Sequence, residues 1–135
     1  MTDVKDTPGR ALHEAESWLV SARQSMIDAE GDEARSNVCC AQAIHAIIRA
    51  NDALSLKFLG YKSTRHDDAA IVFMKIAREG KLPEGAVEFR GLIADAMRDK
   101  SGADYGKSSF SVDDARKYTE RTGHFIAMVK DVLKL

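Results

Sequence analysis

Apolar residues recur at Leu12, Ala15, Leu19, Ala22, Met26 and Ala29, in alternating steps of three and four. That spacing predicts an amphipathic helix after Pro8-Gly9 with a single stripe turned to a core. It is expected to end at Glu30-Gly31, where glycine suits the left-handed closing position. Asp32 is a side-chain cap for a second helix that runs to about Leu59 and stops at Gly60. Between Val38 and Ile48 only Gln42 and His45 interrupt an apolar run, so this helix reads as central and well buried.

The polar connection Tyr61–His66, with Ser63 or Thr64 as a cap, leads into a short third helix from about Asp67 to Arg78, stopped by Gly80. Pro83 suits the first turn of a fourth helix over Glu84–Lys100, and Ser101–Ser109 reads as the longest loop. Ser111 and Asp114 have the spacing of a capping box. The last helix then carries Val112, Ala115, Thr119, Thr122, Ile126, Val129 and Leu133 on one seam. Beside that seam, Tyr118, Phe125 and Val132 form a second stripe, more apolar surface than one core requires, which predicts a homodimer. Four long helices and one short one with brief connections predict an all-α fold. Its expected form is an up-and-down antiparallel four-helix bundle with one additional short helix, a single domain over residues 1–135.

Composition narrows the function classes. Twenty basic residues against 21 acidic ones leave a formal charge of −1, which excludes a generic polycationic nucleic-acid binder. Any contact with RNA must be local. Adjacent Cys39 and Cys40 point about 100° apart on a helix, unsuited to a disulfide or a CxxC metal site. They read as small buried hydrophobes in a reducing interior. Met1–Arg10 lacks the apolar stretch of a signal peptide, and no run approaches the ~20 apolar residues that span a bilayer. The expectation is therefore a cytoplasmic protein without a membrane partner. Histidines at 13, 45, 66 and 124 have no metal-ligand spacing, and HExxH, GxxxxGK[ST] and GxSxG are absent, so no metal or other cofactor is expected.

Two places could carry chemistry. On the second helix Gln42, His45, Arg49 and Asp52 fall within a sector of about 80°, a polar ribbon on an apolar rod. It is either a buried network, in which Asp52 pairs Arg49 and fixes His45, or the lining of a cleft for an anion or a base. In the buried case, removing Asp52 strands a cation. The other place is the end of the fourth helix and its loop. Arg98 lies opposite the Phe89, Ile93 and Ala96 stripe, on a face with Val87, Gly91 and Ala94, whose small residues admit a close neighbour. Arg98 and Lys100 sit on the helix terminus either as solvated cations or, with Asp99 and an inturned Asp104-Tyr105, over a cleft. His66 stands beside Arg65 and Lys62 in the earlier connection.

These segments resemble the HEPN family (higher eukaryotes and prokaryotes nucleotide-binding domain) over about Ala15 to Leu133. Cys39-Cys40-Ala41-Gln42-Ala43-Ile44-His45-Ala46 is similar to the family's small-residue helix. Gly60-Tyr61-Lys62-Ser63-Thr64-Arg65-His66 is similar to its Gly, basic, Thr and His connection. Arg98-Asp99 followed by Ala103-Asp104-Tyr105-Gly106 resembles the Arg-rich turn ending in Ala-Asp-Tyr of one branch. The resemblance implies a dimeric helical bundle that binds nucleotide or RNA. Such modules often act with a separate nucleotidyltransferase chain or in a toxin–antitoxin pair. Arg98 and Lys100 would hold phosphate, with His45, Arg49, Asp52 and His66 lining the cleft. Many members are metal-independent endoribonucleases with an Arg, a polar residue and a His after a short gap. Here Arg98 and Asp99 fill the first two positions, while Asp104-Tyr105 stands where the histidine belongs. As an enzyme the chain would therefore rely on Arg98, Asp99, Asp104 and Tyr105. A bundle that only binds other proteins is the remaining alternative.

Overall fold

The computed structural model describes residues 5–28, 32–63, 68–105 and 109–134, with the backbone alone at 28 and 101–105. Among the described residues there are five α-helices and no strand: α1 (Pro8–Asp28), α2 (Glu33–Phe58), α3 (Ala69–Arg78), α4 (Phe89–Tyr105) and α5 (Val112–Leu133). A 3₁₀ turn at Ala86–Glu88 precedes α4.

Local chemistry sets most of the boundaries. Asp32 caps α2, its side chain accepting from the Arg35 N–H, and Gly60 leaves the helix at a φ of +79°. Ser111 and Asp114 close a full capping box on α5, worth about 1 kcal/mol. The expected cap of α3 is displaced: Asp68, rather than Ser63, stands at its N-cap, while Thr64 lies outside the described residues. The expected closure of α1 at Gly31 also lies outside them. Two expectations about α4 fail. It begins at Phe89 instead of Glu84, because Gly85 adopts a φ of +85° that an α-helix cannot contain. It also continues through Tyr105, so the predicted loop at Ser101–Ser109 is largely helical. The helix continues past Gly102 although glycine costs roughly 1 kcal/mol in a helix interior.

Helix α2 is the hub. It packs against α1, α3, α4 and α5, whereas α4 and α5 touch each other only sparsely. Ile44, Ile47, Leu54 and both cysteines on α2 are fully buried. Helix α1 runs antiparallel to α2, as successive contacts show: Ser25 with Gln42, Trp18 with His45 and Glu14 with Arg49. Phe125 of α5 sits between Phe73 and Phe89, with ring centroids 6.1 and 5.3 Å away. Asn51 donates to the Ala69 carbonyl at 3.1 Å and ties α2 to the start of α3.

The surplus apolar surface expected on α5 does not exist. Tyr118 and Phe125 are buried in this chain's own core and Val132 is packed against it, so the stripe is already used. A bundle whose central helix is covered on several faces draws on more of α5 than one seam. The side chains left exposed are elsewhere, including Val20 and Ile27 on α1. No described helix is long and apolar enough to cross a membrane.

Both thiols are deeply placed. Burial pushes Cys39 above the ordinary thiol range and Cys40 up to about 12, the neighbouring Cys39 adding to the second shift. Cys39 Sγ also lies 3.2 Å from the Ala22 carbonyl. A thiolate, not a thiol, is the nucleophile. Native protein should therefore resist a thiol reagent at pH 8, and two equivalents should react once denaturant is added. Rapid native labelling of either cysteine contradicts this packing.

Candidate functional site

The polar ribbon of α2 resolves into two kinds of contact. Its upper half makes a hydrogen bond and a ring stack across the α1–α2 seam. Gln42 accepts from the Ser25 hydroxyl at 2.7 Å, and the His45 ring stacks on Trp18 with centroids 4.8 Å apart. Its lower half is charged. Arg49 donates through Nε to Glu14 at 2.6 Å and through Nη1 to Asp52 at 2.8 Å, and it holds Asp6 with both terminal nitrogens at 3.0 Å. Lys62 reaches Asp6 from the segment after α2, also at 3.0 Å. One guanidinium thus ties together α1, α2 and the segment before α1, and Lys62 joins the cluster through Asp6.

The charges in this cluster explain its protonation. The hydrogen bonds from Arg49 hold Asp6 down to about 2, against an opposing effect of burial. Burial alone would pull Arg49 down, but the bonds to Asp6, Asp52 and Glu14 more than offset it and hold the guanidinium above its ordinary value. Asp52 goes the other way: burial raises its pKa further than Arg49 lowers it. The sequence expectation that removing Asp52 strands a cation is therefore corrected. Asp6 and Glu14, from outside α2, keep Arg49 paired.

Arg98 has a different setting. Its side chain is 68% exposed, its Nε lies 3.1 Å from Asp99 and its Nη1 lies 3.2 Å from Asp95. Asp99 is only 21% exposed, and its other oxygen accepts from the Tyr118 hydroxyl of α5. Burial, reinforced by that bond to Asp99, pushes the Tyr118 phenol well above its ordinary range, so it remains a donor. The bond to Asp99 likewise raises Arg98. These groups border a cleft of about 270 Å³ between α4 and α5, joined there by Lys117, Arg121 and Phe110. Gly91 faces the end of Arg121, and a Cβ placed there would stand 4.0 Å from Arg121 Nη2, an ordinary contact distance.

The structure therefore brings together Arg98 and Asp99, and places His45, Arg49 and Asp52 on the separate α1–α2 seam. Lys100 follows on α4 and is partly buried. Asp104 and Tyr105 belong to the last turn of α4 instead of a loop, and their side chains lie outside the described residues, as does His66. Sequence reasoning missed Asp95, Tyr118, Lys117 and Arg121 as members of the Arg98 cleft. Only Asp95 left a signal, standing three residues before Arg98 on one helix face. Among the described residues no group of His, Cys, Asp and Glu is arranged to hold a metal ion. The chain matches no protein-family model, and no curated protein is significantly similar to it.

The Arg49 cluster gives a sharp mutational contrast. Arg49→Met leaves three carboxylates facing one lysine and should cost about 2–3 kcal/mol at pH 7, moderated by the solvent-exposed Glu14. Asp52→Asn should stay within about 1 kcal/mol of wild type. Asp6 has its pKa lowered by folding, so its contribution is present above the ordinary 3.8 and is lost as pH falls toward about 2. Denaturant melts of wild type and Arg49→Met should therefore converge between pH 4 and about 2. A constant gap across that range contradicts the assignment.

Proposed function

We propose that this chain is a HEPN-like module that binds nucleotide or RNA, an up-and-down four-helix bundle of α1, α2, α4 and α5 with α3 as the short additional helix. The observation that carries this reading is the exposed Arg98 guanidinium at the rim of the α4–α5 cleft, held in place through Asp99 and Tyr118. A guanidinium offers forked donors that match phosphate oxygens, and fixing it beforehand reduces the entropy lost when a ligand arrives. Arg49 has no comparable freedom, because carboxylates of the same chain already take its donors. In this reading phosphate recognition belongs to Arg98, with Lys100 following it on α4. The ribbon through His45, Arg49 and Asp52 holds the bundle together.

The module acts as a cytoplasmic homodimer beside a separate nucleotidyltransferase or a toxin–antitoxin partner. Support for the dimer comes from Val20 and Ile27, seven residues apart on the exposed face of α1, rather than from α5. Sedimentation at micromolar concentration should show a species of twice 14.8 kDa. A purely monomeric protein contradicts the dimer.

Arg98→Lys keeps the charge but loses the fork, so it should weaken binding of ATP or labelled single-stranded RNA by roughly tenfold at low salt. Because the side chain is exposed, the melting midpoint should move by little. Equal affinities for the two proteins, or no binding by either, would remove Arg98 as a ligand residue. Incubation with mixed RNA in EDTA, read on a denaturing gel, tests the endoribonuclease alternative. Asp104→Asn abolishing any such cleavage would give that residue a role in it, and Asp104→His should raise cleavage by restoring a group that titrates near neutral pH.

A further inference from the structure

Arg121 stands on α5 across the cleft from Arg98. Its Nη1 lies 3.1 Å from Asp95 Oδ2, and Arg98 Nη1 lies 3.2 Å from Oδ1 of the same carboxylate. Two guanidinium groups from different helices thus meet one oxyanion from two sides. The helices around them are arranged to allow it. Asp99, held by Tyr118, keeps Arg98 on the facing wall. Both arginines are open to the ligand's approach, Arg121 being 46% exposed.

We infer that Arg121 is the second ligand-binding arginine of this cleft, closing on the same phosphate group as Arg98, and that Asp95 occupies the place of that phosphate in the free protein. The inference rests on the phosphate-binding reading of the cleft. A carboxylate presents two oxygens, and here each serves one arginine. A phosphate presents more oxygens in a tetrahedral array, so each arginine can engage it through a fork where Asp95 now offers a single contact. The ligand and Asp95 therefore compete for the same donors. The intramolecular carboxylate bridges the two arginines, leaving the three groups with a net positive charge, until a stronger oxyanion displaces it. This makes Asp95 a brake on affinity, although it pairs with both ligand-binding residues.

The phosphate could come from a free nucleotide or from an RNA backbone, and titrations with ATP and with labelled single-stranded RNA separate these sources. Wild type, Arg98→Lys, Arg121→Gln and Asp95→Asn are compared, each at several salt concentrations. Arg121→Gln should weaken binding by roughly tenfold and reduce the salt slope for RNA by about one. Asp95→Asn should strengthen binding several-fold, a gain that loss of folding cannot produce. If Arg98→Lys weakens binding while Arg121→Gln and Asp95→Asn change neither affinity nor slope, the role of Arg121 is overturned and the reading of Arg98 stands. If wild type binds neither ATP nor RNA, or binds them regardless of both arginines, the reading of the cleft falls along with the inference.

Discussion

The burial of α2 on several faces is the constraint from which the rest follows, because no single partner helix can cover it. Its small residues Cys39, Cys40, Ala43, Ala46, Ala50 and Ala53 let neighbouring backbones come close. Its larger ones, Ile44, Ile47 and Leu54, fill the spaces between them. Covering this rod places α1, α3, α4 and α5 around it, and the helices that share α2 need not pack tightly on one another. The sparse contact between α4 and α5 is a consequence, and it leaves the cleft in which Arg98 and Arg121 meet. The candidate site is a gap in a layer built to serve another helix.

Arg49 and Arg98 show how one residue type takes two roles. Arg49 pairs with one aspartate on its own helix and Arg98 with two. Arg49 is 16% exposed and also faces carboxylates from α1 and the segment before it, so its donors are used within the chain. Removing water strengthens each of those interactions and makes them structural. Arg98 is largely solvated, and its aspartate partners leave part of the guanidinium open to water. An interaction with an outside anion can compete there, since surface pairs contribute only about 0–1 kcal/mol. Position relative to neighbouring helices, not the local motif, separates a clamp from a ligand-binding group.

Much of the architecture was legible in the chain. The three-and-four spacing of apolar residues located α1 and α5, the apolar run Val38–Ile48 located α2, and Asp32, Gly60 and the Ser111–Asp114 box marked boundaries that the structure keeps. These signals are local: a cap or a left-handed glycine acts within about one turn of its own position. The limits of α4 were misread because its ends depend on competing local effects. Pro83 suggested a start that Gly85 prevents, and Gly102 with its serine neighbours suggested a loop where the helix continues.

The polar ribbon, the Arg98-Asp99 pair and the capping chemistry were determined by the sequence itself, because each joins neighbours about one helical turn apart or closer on the same stretch of chain. Tertiary structure decided what those groups face. Asp6 and Glu14 come to Arg49 across the α1–α2 seam, and Tyr118 and Arg121 come to Asp99 and Asp95 from α5, around twenty residues away and more. Periodicity reports which side of a helix is apolar, not which partner covers it. The fate of the Tyr118 and Phe125 stripe turned on that difference: a second apolar face on α5 suits a subunit interface or a wider core equally well. The need to cover α2 on several sides drew both residues inward, and only the packed arrangement could show it.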